Sequence, residues 1–338
     1  MKKLLSALLM LTLVFSLAAC GEDEVELGEY KPGLHLGYTE GNKNTFAYVY
    51  VDSKGFIADI HIDMLHAKRD AEGPLWDVDD DSAKYIATTK RSLDDGNEYN
   101  MNSEEGSSEA KEDGLLLWVE QVDALADDIV EAQAIPEYSI TADGKFDDDA
   151  ISGVSIAVTP FITAIENALG RAELGSDEVP TDFNVPEFDS EGEYTPGIQY
   201  GYSEGSSNGH AFLAVNEEGN IEYAAIDVVY FHTTDTDAAY TTMNYGSEVN
   251  GIIITKMTLD YGNEYNMNSE EGSSEAKEDG LLLWVEQMQA VADDVVANQG
   301  LENYSIVDGK YETPDDAVAG VSITVEHVIA AIEMALDR

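Results

Sequence analysis

The chain has 338 residues, with 17 Lys and Arg against 68 Asp and Glu, for a formal net charge of −51. A surface of that sign repels polyanions, which excludes a nucleic-acid role. An apolar fraction of 43% with 18 Tyr, arranged in periodic segments, excludes an acidic disordered chain and leaves a folded protein with a solvated carboxylate coat.

The N-terminus sets the compartment. Lys2 and Lys3 precede a run from Leu4 to Leu17 that only Ser6, Thr12 and Ser16 interrupt, and Leu17-Ala18-Ala19-Cys20 follows. A basic start, a short apolar run and small residues before a cut site make a secretory signal. The run is too short for a comfortable membrane span. Cys20 is the sole cysteine. Its position after Leu-Ala-Ala matches the bacterial lipoprotein box, in which the thiol is lipidated (thioether and amide acyl chains, palmitate among them) and becomes the first mature residue. Residues 1–20 therefore read as a lipoprotein signal peptide, with the protein lipid-anchored on the extracellular face of the cell membrane. The lone thiol leaves no disulfide and no cysteine metal site.

An internal repeat organises the rest. Gly96 to Gln121 recurs residue for residue as Gly262 to Gln287. Gly28-Glu29-Tyr30 with Pro32-Gly33 recurs as Gly192-Glu193-Tyr194 with Pro196-Gly197, and Asp149 to Ile156 corresponds to Asp316 to Ile323. Each unit is the size of an ordinary small domain, too long for a solenoid repeat. The boundaries read as domain 1 over 25–170, an acidic linker over 171–190 and domain 2 over 191–338, each expected to fold alike and separately.

Within each unit the pattern is α+β. Thr45 to Val51 and Phe56 to Asp63, around Asp52-Ser53-Lys54-Gly55, read as a β-hairpin, repeated around Asn216-Glu217-Glu218-Gly219. Leu115, Trp118, Val119, Val122, Ala126 and Ile129 fall at helical spacing, and so do Ile162, Ile165 and Leu169, with Ile329, Ile332 and Leu336 in the second unit.

The stretch Asp149-Ala150-Ile151-Ser152-Gly153-Val154-Ser155 lies just before the last helix of its unit. Gly153 permits close backbone approach, and a helix start favours an anion. Ser before a helix is equally the mark of a plain N-cap. From these residues alone both readings stand.

The chain resembles the FMN-binding domain family, whose members carry Asp-x-x-Ser/Thr-Gly-Ala-Thr before a C-terminal Ala-rich helix. It is similar in particular to the two-domain lipoproteins of Gram-positive extracellular electron transfer. The likeness includes Tyr99-Asn100-Met101 and Trp118-Val119-Glu120-Gln121-Val122-Asp123-Ala124-Leu125. It implies two tandem FMN-binding domains, each a small antiparallel sheet with packed helices. It also implies that an FMN transferase moves FMN from FAD onto the last hydroxyl of the motif, as a covalent phosphoester, one per domain. Carried over, the acceptors are Ser155 and Ser322, with Asp149, Ser152, Gly153, Asp316 and Gly320 completing the motif. Both copies read Gly-Val-Ser where the family form is Gly-Ala-Thr, and Ala319 replaces Ser152 in the second. Thr159 offers a second hydroxyl in copy one; Glu326 stands at that position in copy two. Tyr99, Met101, Tyr265 and Met267 are candidates to pack on the flavin ring, while Trp118 and Trp284 fit an apolar helix stripe.

The six histidines show no metal-ligand spacing, and no nucleophile elbow or P-loop is present, so neither a metal site nor a catalytic residue is assigned. The expected function is an electron carrier rather than an enzyme. The family resemblance implies that it would pass electrons from a membrane quinol dehydrogenase or the quinone pool to ferric iron or a surface reductase. The alternative is a flavin-free acidic surface lipoprotein acting as a binding or adhesion module.

Overall fold

The fold, a computed structural model, describes residues 27–39, 44–70, 84–95, 116–147, 150–173, 188, 190–203, 208–232, 252–257, 283–301, 305–307, 310–312 and 325–338. It is mixed α+β, with two four-stranded antiparallel sheets and helices on each.

In copy one the strands are β1 (Gly33–Tyr38), β2 (Thr45–Val51), β3 (Ile57–Asp70) and β4 (Lys84–Thr89), hydrogen-bonded in chain order. Helices α1 (Lys90–Asp95), α2 (Trp118–Ala132) and α3 (Thr159–Ala172) follow. Copy two repeats the order with β5 (Gly197–Tyr202), β6 (Asn208–Val215), β7 (Ile221–His232), β8 (Ile252–Thr255) and α4 (Trp284–Asn298). A short hairpin of β9 (Ser305–Val307) and β10 (Lys310–Glu312) and helix α5 (Glu326–Leu336) complete it. Helix α3 runs on to Ala172 and Glu173 bridges to Tyr30, so the first residues assigned to the linker belong to copy one.

The predicted hairpins form. Asp52 Oδ1 accepts the Lys54 and Phe56 amides at 2.9 Å each, and Asn216 Oδ1 accepts those of Glu218 and Asn220 at 3.1 and 2.9 Å. A short polar side chain that substitutes for backbone acceptors is what makes Asp and Asn turn formers. The same one-residue irregularity follows in both copies, at Tyr50/Val51 and at Ala214/Val215.

Side chains alternate across a strand, and here both faces are covered. Ala47, Val49 and Val51 join the core under copy one's helices with Trp118, Val122, Ile129, Phe161 and Ile165. The approach of α3 to β1 is so close that a Cβ at Gly37 would overlap the Ala164 carbonyl oxygen. Gly201 stands in the same relation to Ala331 of α5. A glutamine closes each sheet–helix junction. Gln133, in the left-handed conformation after α2, accepts the Ile57 amide at 2.8 Å and donates to the Ile57 carbonyl at 2.8 Å. Gln299 does the same to Ile221 at 2.8 and 2.9 Å.

The alternate faces of the two sheets meet. Leu36, Phe46, Tyr48 and Leu65 belong to one buried cluster with Phe212, Tyr200, Trp284 and the rest of copy two's core. Tyr48 stacks on Phe212 with ring centroids 4.1 Å apart. Tyr50 donates to Glu222 Oε2 at 2.7 Å, and the Ile198 amide donates to Asp59 Oδ2 at 2.6 Å. The sequence treats the copies as separate folding units; the structure gives them a common apolar interface.

Candidate functional site

The described part of the repeated motif in copy one is an exposed loop between Ala150 and Val158, held from beneath. The loop turns at Ile151, whose carbonyl accepts the Val154 amide at 3.2 Å. Gly153 has φ +83, and a Cβ there would lie 2.7 Å from Leu116 Cδ1. The left-handed backbone and the tight contact both call for glycine. Ser152 and Ser155 are exposed, while Val154 and Ile156 are half-buried against the copy-one core.

What fixes the loop is Gln121, 1% exposed, on the first turn of α2. Its Oε1 accepts the Ser155 amide at 2.7 Å and the Ile156 amide at 3.2 Å. The Ser155 hydroxyl donates to the same oxygen at 3.4 Å. The Nε2 group donates to the Leu116 carbonyl at 3.0 Å, which fixes the orientation of the amide. A buried side chain that satisfies four polar groups at once is costly to remove, because its partners are left without acceptors or donors.

The residues around Gln121 have separate tasks. Trp118 is 2% exposed and meets Phe161 edge-on at 6.0 Å, so it is a core residue with no open face. Glu120 accepts the Leu117 amide at 2.7 Å, satisfying an otherwise unpaired donor at the start of α2. In copy two Trp284 is 2% exposed, Gln287 is 0% exposed, and Glu286 accepts the Leu283 amide at 2.8 Å. Lys90 and Lys256 lie over the Trp118 and Trp284 rings at 5.1 and 5.3 Å. Burial, partly opposed by Asp63, brings the Lys90 ammonium down to about 8.

The expectation that Ser155 opens a helix is corrected. Helix α3 begins at Thr159, four residues later. Its first donors are already used: the Val158 and Thr159 amides donate to the Gly144 carbonyl at 2.7 and 3.3 Å, Pro160 has no N–H, and Phe161 donates to Val158. The helix start therefore holds no free amide for a phosphate, and Ser155 is no N-cap. Thr159 sits on that first turn, its hydroxyl donating to Gly144 at 3.3 Å. Asp149, Asp316, Gly320, Ser322, Tyr99, Met101, Tyr265, Met267 and Cys20 lie outside the described residues.

A second polar group, which no motif announces, lies between the sheets. The Tyr200 hydroxyl meets His210 Nδ1 at 2.8 Å and Thr89 Oγ1 at 3.2 Å. The His61 ring lies 4.6 Å from that of Tyr200, and its Nε2 is 3.8 Å from Asp63 Oδ2, too far for a hydrogen bond. Burial pulls the His61 and His210 rings down, His210 to about 4. Burial pushes the Asp63 carboxyl up, but His61 and Arg91 outweigh it and hold it low. Among the described residues no group of three or more His, Cys, Asp or Glu is placed to hold a metal ion, and no helix is long and apolar enough to cross a membrane.

Fold and loop together define an α+β protein of two equivalent halves, with a serine hydroxyl presented on a braced loop. No family model, no curated protein and no solved structure matches the chain.

Proposed function

We propose that the chain is an electron carrier, lipid-anchored through Cys20, whose two copies each hold FMN as a phosphoester on Ser155 and Ser322. The observation that carries this reading is the placement of Ser155: an exposed hydroxyl, in the sequence motif that occurs twice, on a loop whose backbone a buried glutamine holds still. Attachment would proceed by attack of the serine oxygen on the flavin-side phosphorus of FAD. The new O–P bond forms, the bridging bond of the diphosphate breaks, AMP leaves, and the hydroxyl proton passes to the transferase or to solvent. FMN once attached supplies exchange of one or two electrons. The chain's own part is to present the oxygen and to keep the cofactor tethered, so that an exported protein does not lose it to the medium.

In this reading the two copies carry electrons from a membrane quinol dehydrogenase or the quinone pool to ferric iron or a surface reductase. The lipoprotein signal and the absence of any second thiol support an exported, anchored carrier. The test is co-expression with an FMN transferase, FAD and Mg²⁺, followed by a denaturing gel viewed for flavin fluorescence. Ser155→Ala and Ser322→Ala should each halve the signal, and the double variant should be dark. Fluorescence that survives in the double variant overturns the assignment of the acceptors. A wild type that is dark under the same conditions favours the flavin-free adhesion module.

A further inference from the structure

The Gln121 side chain is the only described contact that fixes both the backbone and the hydroxyl of the acceptor position. Its oxygen sits under the loop, with the Ser155 amide at 2.7 Å, the Ile156 amide at 3.2 Å and the Ser155 hydroxyl at 3.4 Å. An amide oxygen has two lone pairs in one plane. Sharing it between two successive N–H groups sets the direction of the Ser155 Cα–Cβ bond. The Ser155 hydroxyl lies at the edge of hydrogen-bond range of the same oxygen, so the two amides are what fix the side from which Oγ is presented. The glutamine cannot rotate to release the loop, because its Nε2 is held by the Leu116 carbonyl at 3.0 Å. Val154 and Ile156 pack on the core on either side of Ser155, and among the described residues Gln121 alone bonds Ser155 itself.

We infer that Gln121 is a positioning residue for flavin attachment: it presents the Ser155 oxygen as the nucleophile toward the phosphorus of FAD. Gln287 is fully buried at the matching place on α4. The inference rests on the reading of Ser155 and Ser322 as flavin acceptors. It explains why glutamine, a polar residue, occupies a core position of the helix stripe in both copies. Holding a nucleophile in one attack geometry is worth a large rate factor, because an ångström of misplacement costs about 100-fold.

The experiment uses the full chain with an FMN transferase, FAD and Mg²⁺. Flavin addition is followed at each serine by peptide mass. Gln121→Met keeps the length of the side chain and removes its polar atoms. Gln121→Glu keeps the accepting oxygen. Amide hydrogen exchange on the flavin-free protein gives a readout independent of the transferase. The expected result is that Gln121→Met slows addition at Ser155 by at least about 10-fold and leaves Ser322 unchanged in the same molecules. Gln121→Glu keeps an acceptor but loses the Nε2 bond to Leu116, so its Ser155 rate falls between those of Gln121→Met and the wild type. The Ser155 and Ile156 amides, protected in the wild type, exchange freely in Gln121→Met.

Equal slowing at both serines in Gln121→Met means a folding defect and overturns the inference. So does an unchanged Ser155 rate in a wild-type background that carries two flavins, and in that case the flavin reading stands. A wild type that accepts no flavin removes the flavin reading and this inference together. Should Gln121→Met not fold, Gln121→Asn decides, since it keeps both polar atoms on a side chain one methylene too short to reach the loop: a Ser155 rate slowed with Ser322 unchanged supports the inference, and an unchanged Ser155 rate in folded Gln121→Asn protein overturns it.

Discussion

Copies one and two agree where their sheets meet their helices and differ where they meet each other. On the helix side the residues match: Ala47 with Ala211, Val51 with Val215, Ile57 with Ile221, Trp118 with Trp284 and Gln121 with Gln287, all buried. On the facing sides Phe46 stands opposite in the repeat to His210, Tyr50 to Ala214, His61 to Ala225 and Leu36 to Tyr200. Two identical faces would have to be self-complementary. Two diverged faces need only complement each other, and a tyrosine on one side reaches a glutamate on the other. The repeated face is the one that, in copy one, carries the Ser155 loop, so the two copies share one fold but not one role in the assembly.

If the helix sides are equivalent, Trp118→Ala and Trp284→Ala should destabilise the chain by similar amounts. Each removes a large buried side chain, at a cost of about 3–5 kcal/mol. Urea titration of both variants checks this, and a gap between them of more than about 2 kcal/mol would exceed what site-to-site variation in cavity collapse commonly gives for one chemistry.

Tyr50 tests the diverged face. Its hydroxyl, held protonated by burial and by Glu222, donates to a carboxylate that is 4% exposed. Tyr50→Phe leaves Glu222 with the Asn216 amide at 3.2 Å, at a cost of about 1.5–3 kcal/mol. Ala214, at Tyr50's place in copy two, has no such bond to lose. A double-mutant cycle with Glu222→Gln should return a coupling free energy of similar size. Residues 25–170 alone, with Leu36, Phe46, Tyr48 and Leu65 uncovered, should self-associate or melt well below the full chain; a monomeric fragment with the full chain's melting temperature would contradict a common core.

A smaller effect sharpens the comparison further. Asp63 and Asp227 occupy one repeat position, and each accepts two backbone amides on Oδ1. Burial pushes both carboxyls up, but in copy one His61 and Arg91 reverse the shift, whereas Asp227 rises to about 6. The signs then differ. Asp63, held below its unfolded value, contributes stability that is present at neutral pH and lost only as pH falls through its low folded value. Asp227, held above its unfolded value, weakens the fold at neutral pH, and that loss is relieved as pH falls from about 6 toward 4. His210, lowered to about 4 by burial, works the other way, since the unfolded chain binds its proton first as pH falls below 6.5. Asp227→Asn should therefore raise the melting temperature at pH 7 and steepen its fall on acidification. Asp63→Asn should lower it at pH 7. Equal responses would show that His61 does not distinguish the two copies.

Much of this fold was legible in the sequence. The hairpins declared themselves through β-branched runs around Asp52 and Asn216, and the helices through Trp118, Val122 and Ile129 or Ile162, Ile165 and Leu169. Strands β1 and β5 were not legible, because Gly33–Tyr38 and Gly197–Tyr202 carry glycines chosen for contact with a helix rather than for strand propensity. The facing sheets were hidden for a related reason: β2 reads as a continuous apolar run, and periodicity cannot say what covers its second face. At the candidate site Ser155 and Gly153 were found by motif. Gln121 stood in the Trp118–Leu125 likeness with no role of its own, since a polar residue on an apolar stripe shows none until its partners, 34 and 35 residues further along the chain, are seen beside it.

The central claim is that each copy carries one flavin on one serine. The most direct test is the intact mass of the full chain after co-expression with an FMN transferase and precipitation to strip loose cofactor. The account predicts a single species heavier than the apoprotein by two FMN, each less one water. A mass equal to the apoprotein, in a preparation whose Ser155→Thr and Ser322→Thr double variant gains both, would contradict it.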